Sequence, residues 1–133
     1  MGKFDELTVF IEKLENDDLG YWAKGRGSGT YEDPLVLGYP VLSETAHDFI
    51  RAFYHFESEH PEYDLKNYLS YTDEHGPGGQ ADVDKMDEQA ALVRLMFIIR
   101  GDRFCDGLLL DSLTSGYIQN ILKRLKEIDD LQS

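Results

Sequence analysis

A chain of 133 residues, 41% hydrophobic and 29% charged, has the length of one domain and enough apolar area to fold without staples. Lys and Arg number 13 against 26 Asp and Glu, a formal net charge of -13. That charge repels phosphate and anionic lipid, so nucleic acid and membrane surfaces are not expected as partners, whereas a basic protein is. The single cysteine, Cys105, excludes an internal disulfide and fits a reducing compartment. The first residues carry no apolar run behind a basic start. The apolar stretches Leu95–Ile99 and Leu108–Leu110 are too short to span a bilayer, so a cytoplasmic location is expected.

In chain order, Phe4, Leu7, Ile11 and Leu14 recur at helical spacing and predict a helix over 4–15, closed by Asn16-Asp17-Asp18. An aromatic pair, Tyr21-Trp22, follows. Residues 24–34 hold three glycines and a proline and read as a flexible surface loop, in which Lys24 and Arg26 are basic exceptions in an acidic chain. The loop has neither the Gly-Lys-Ser ending of a phosphate loop nor a dinucleotide fingerprint. Residues 35–42 predict a minor extended or β segment, with Pro40 excluding a central strand.

Ser43 is placed to cap a helix over about 44–57, whose stripe is Ala46, Phe49, Ile50, Phe53 and Tyr54. Pro61 opens a short helix offering Tyr63, Leu65, Tyr68, Leu69 and Tyr71 as buried residues. Residues 72–83 read as a mobile loop. Asp82 or Asp84 is expected to cap a helix over about 84–100 with the stripe Met86, Ala90, Val93, Met96 and Phe97. Gly101 is expected to end it in a left-handed conformation. After a connector at 102–107 and a short helix from Leu108, a last helix is expected over about 117–128. Its apolar face is Ile118, Ile121, Leu122, Leu125 and Ile128, and Lys123, Arg124 and Lys126 fall near its negative end. The fold class that follows is mainly α: a single compact domain over 1–133, with four to six helices and a minor extended segment around 35–42.

Arg100-Gly101-Asp102-Arg103-Phe104-Cys105-Asp106-Gly107, followed by Leu109, Ser115-Gly116 and Ile121-Leu122-Lys123-Arg124-Leu125, resembles the C-terminal signature of the bacterial domain-of-unknown-function family numbered 6508. Tyr39-Pro40-Val41-Leu42-Ser43 leading into Phe49, Ile50 and Tyr54 is similar to that family's extended segment and following helix. Around Tyr63 to Tyr68 the family's tryptophans are absent. The resemblance implies a bacterial cytosolic origin and a 102–107 element that is more than a linker. It implies no activity.

Two carboxylates and a guanidinium in that hexapeptide make a candidate ligand site of Asp102, Arg103, Cys105 and Asp106, with Trp22 and Tyr39 as aromatic walls. Arg103 suits bidentate recognition of an anion, Asp102 or Asp106 suits a base, and Cys105 becomes a nucleophile where its thiol is acidified. The structural alternative makes Asp106 the N-cap of the next helix and buries Phe104 and Cys105. His55-Phe56-Glu57-Ser58-Glu59-His60 gathers metal-ligating side chains, but no spacing matches a known zinc pattern. No catalytic residue, metal or cofactor is expected. The sequence therefore reads as a non-enzymatic binding or interaction module whose partner is a basic protein or a second copy. The alternative is a small-ligand enzyme or binding protein built on the 102–106 residues.

Overall fold

The computed structural model describes residues 2–35, 37–70, 80–102 and 107–132. Among the described residues, six helices and a two-stranded antiparallel hairpin form a mainly helical compact domain: α1 (Asp5–Thr8), α2 (Phe10–Asn16), β1 (Gly20–Ala23), β2 (Tyr39–Leu42), α3 (Glu44–Glu59), α4 (Glu88–Gly101), α5 (Leu108–Thr114) and α6 (Tyr117–Gln132). Short 3-10 turns at Pro61–Tyr63, Leu65–Asn67 and Gln80–Lys85 fill the path from α3 to α4. Tyr71, residues 72–79 and the expected site residues Arg103, Cys105 and Asp106 lie outside the described residues, as do Val36 and Phe104.

The expected first helix is divided at Val9 into α1 and α2, and both turn their apolar side inward through Phe4, Leu7, Phe10 and Leu14. In α3 the Ser43 hydroxyl accepts from the Ala46 amide at 3.1 Å, the cap its sequence announces. The buried stripe is Ala46, Phe49, Phe53 and Phe56, with Ile50 and Tyr54 on its flank.

Helix α4 corrects the one-sided stripe. Ala91, Leu92, Val93, Leu95, Met96, Ile98 and Ile99 are all buried, so it is apolar nearly all round and runs through the interior against α5 and α6. It starts later than expected, because Asp84 lies in the preceding 3-10 turn and Asp87 is the cap, accepting from the Ala90 amide at 2.8 Å. Gly101 is its last residue and Asp102 continues in right-handed geometry; the left-handed glycine is Gly107.

Helix α6 runs one turn beyond its expected end, to Gln132, so Lys123, Arg124 and Lys126 fall mid-helix and no basic residue occupies the last turn. Lys123 pairs with Glu15 at 2.6 Å, and Arg124 Nε donates to the Met86 carbonyl at 2.8 Å. Those contacts tie α6 to its neighbours rather than to its own dipole.

In the hairpin Trp22 stands opposite Pro40 and Tyr21 opposite Val41. The Ser43 amide bonds the Leu19 carbonyl at 3.1 Å, which makes Tyr21–Val41 a hydrogen-bonded pair and Trp22–Pro40 a non-bonded one. The missing Pro40 N–H therefore falls on the outer edge of β2, where it removes a donor that another strand would use. Beyond the strands, residues 24–34 form the exposed loop expected, with a tip turned by its own hydrogen bonds. The Asp33 carboxylate accepts from the Ser28 amide at 3.1 Å, Thr30 Oγ1 accepts from the Asp33 amide at 3.1 Å, and the Gly29 amide reaches the Asp33 carbonyl at 3.1 Å.

Candidate functional site

Strand alternation divides the hairpin into two faces. Gly20, Trp22, Pro40 and Leu42 turn toward the helices, with Leu19 and Leu42 packed on the core. Tyr21 and Tyr39 turn outward as a diagonal pair, both more than half exposed. From there the arm carries Tyr31, fully exposed, Leu35, and Leu37 at 73% exposure. Trp22, on the face toward the helices, is still 46% exposed, and outside the arm Val9, Leu69 and Leu131 are the large hydrophobic residues exposed among those described, so such side chains concentrate on the arm. Exposed carboxylates of Asp17, Asp18 and Glu44 ring its root, where Thr45 Oγ1 donates to Asp17 at 2.8 Å.

Of the expected site residues, the structure brings Trp22 and Asp102 to the start of α5 and puts Tyr39 on the opposite face of the hairpin. The Asp102 carboxylate accepts from the Leu109 amide at 3.1 Å and so caps α5 from seven residues upstream. The N-cap position itself is Gly107, with φ +87 and no side-chain cap; Asp106, the cap expected from the sequence, lies outside the described residues. A Cβ at Gly107 would overlap the Trp22 ring. Gly107→Ala is expected to displace Trp22 and to cost at least about 1–2 kcal/mol through left-handed strain. Trp22 is the chain's one tryptophan, so its emission together with urea unfolding reads both effects. Gly116→Ala, also left-handed but with nothing within 4 Å of the new Cβ, is expected to lower stability without changing the emission.

The histidine run separates on folding. His60 stacks on Phe56 at 4.3 Å and pairs with Glu62 at 3.3 Å. His55 Nδ1 instead meets Glu6 at 2.8 Å and Glu59 at 3.1 Å. The hydrogen bond to Glu6 first, then the Glu59 charge, raise the His55 pKa above its ordinary value of 6.5. The folded chain thus holds the imidazolium more firmly than the unfolded one. The stability this adds is full below pH 6.5 and is lost as pH rises through the folded value. Burial and a hydrogen bond donated to Glu88 push the Tyr63 phenol well above its usual range, so it stays protonated.

Glu57, Ser58, Pro61, Asp64, Leu65 and Lys66 line a cavity of about 350 Å³, and of the described site residues Trp22, Tyr39 and Asp102 none borders it. No helix among the described residues is long and apolar enough to cross a membrane. The architecture defines a small helical domain with a projecting aromatic hairpin. The chain belongs to a family of unknown function, DUF6508, whose profile matches residues 2–130. No curated protein and no solved structure matches the chain.

Proposed function

We propose that this chain is a non-enzymatic protein-interaction module, bacterial and cytosolic, which uses the hairpin arm over 20–42 to bind a partner whose contact surface is apolar at the centre and basic at the rim. The observation that carries this reading is the outward set of Tyr21, Tyr31, Leu35, Leu37 and Tyr39 on an arm closed by its own hydrogen bonds. Exposed tyrosines give large contact area at low side-chain entropy, as interface centres do. Asp17, Asp18 and Glu44 at the root, with a net charge of -13, supply the complement to a basic rim and speed encounter. The small-ligand enzyme has less support, since the Asp102 carboxylate is committed to capping α5.

Site-specific photocrosslinking tests the reading. A photoreactive residue at Tyr31 is expected to capture a protein with a basic surface, and capture is expected to fall as salt rises. Equal capture from Val9, exposed but outside the arm, would overturn it.

A further inference from the structure

We propose that Glu6, His55 and Glu59 form a binding site for a divalent transition-metal ion of the zinc type, joining α1 to α3. The three residues come from two helices, and Glu6 and His55 are 49 positions apart in sequence. Their ligating atoms all lie within 4.8 Å of one another. A neutral imidazole nitrogen and two carboxylate oxygens are a donor set that zinc accepts, with open positions left for water.

The distances agree with that use. Donors held about 2.0–2.2 Å from zinc lie roughly 3.3–3.6 Å from each other along the edges of a tetrahedral shell. His55 Nδ1 is 2.8 Å from Glu6 and 3.1 Å from Glu59, a few tenths of an ångström inside that edge, so both carboxylates need to move outward only slightly. The two glutamates are partly or largely exposed, and small rotations about their side-chain torsions open the triangle to an ion. Access is direct, because His55 is 62% exposed. On binding, the ion takes the place of the proton that Nδ1 shares with the two carboxylates, and that proton leaves to solvent. The same ion then fastens α1 to α3 from the outside, where Phe4 and Phe56 fasten them from within.

Titration of the purified full chain with zinc chloride by calorimetry, paired with thermal unfolding, tests the proposal. One ion per chain and a rise in Tm with zinc are expected, since an ion bound only by the folded state stabilises it. His55→Ala and Glu6→Gln are each expected to weaken binding at least about tenfold and to abolish the Tm rise. His47→Ala, which removes another exposed histidine, is expected to change neither. No measurable binding, or binding unaltered in both His55→Ala and Glu6→Gln, would overturn it. All three side chains reach solvent, so these variants keep the fold, which circular dichroism verifies.

Discussion

Replacing Phe56 with alanine is expected to lower the unfolding free energy by about 3–5 kcal/mol, the range for removing a large aromatic from a core that cannot collapse around the space. Phe56 is fully buried and joins three parts of the chain: Phe4 before α1 at 5.7 Å between ring centroids, His60 at 4.3 Å, and Tyr63 of the next turn at 6.1 Å. Aromatic pairs add stabilisation beyond area alone, which puts the expected value in the upper part of that range. Phe56→Leu keeps most of the volume and is expected to cost less. Urea unfolding followed by far-ultraviolet circular dichroism gives both values. A loss below about 1 kcal/mol for the alanine variant would mean that this ring cluster does not hold the N-terminus to α3.

Asp129→Ala is expected to cost about 2–4 kcal/mol, an unusual loss for a polar residue near a chain end. The carboxylate is buried and accepts from the amides of Lys3 and Phe4, each at 3.0 Å. Those amides stand just ahead of α1, whose N-cap residue Phe4 supplies no side-chain cap. An acid in the last turn of α6 opposes that helix's dipole, and the positive end of α1 offsets the cost. Removing it orphans two N–H groups, one of them buried. Asp129→Asn keeps one acceptor oxygen and is expected to lose about half as much. Hydrogen exchange localises the effect: amides of α1 are expected to open first. Wild-type protection in α1 of the alanine variant would contradict the capping role.

Helices with one wet face were legible in the sequence. Ser43, the α3 stripe from Ala46 to Phe53 and the α6 stripe from Ile118 to Ile128 all stand where periodicity puts them. Helix α4 was not, because burial on every side erases the polar phase from which a stripe is read. Caps supplied from a distance were equally hidden. Asp129 serves amides 125 and 126 residues away, and Asp102 serves Leu109 across a connector, so neither follows the local capping pattern. Glycine content marked 24–34 as irregular, yet Asp33 and Thr30 use their side chains to order the tip. Trp22 and Tyr39 read as walls of one ligand site, and pairing register was needed to put them on opposite faces of the hairpin. The partnership of His55 with Glu6 rests on α1 packing against α3, which no sequence spacing encodes.

The arm is the part of the account on which function depends. The most direct measurement is the affinity of the crosslinked partner, purified, for wild type and for Leu37→Ser/Tyr39→Ser. Both side chains are more than half exposed, so the double variant is expected to keep the wild-type Tm while binding at least about tenfold more weakly. Unchanged affinity in a folded double variant would contradict the account.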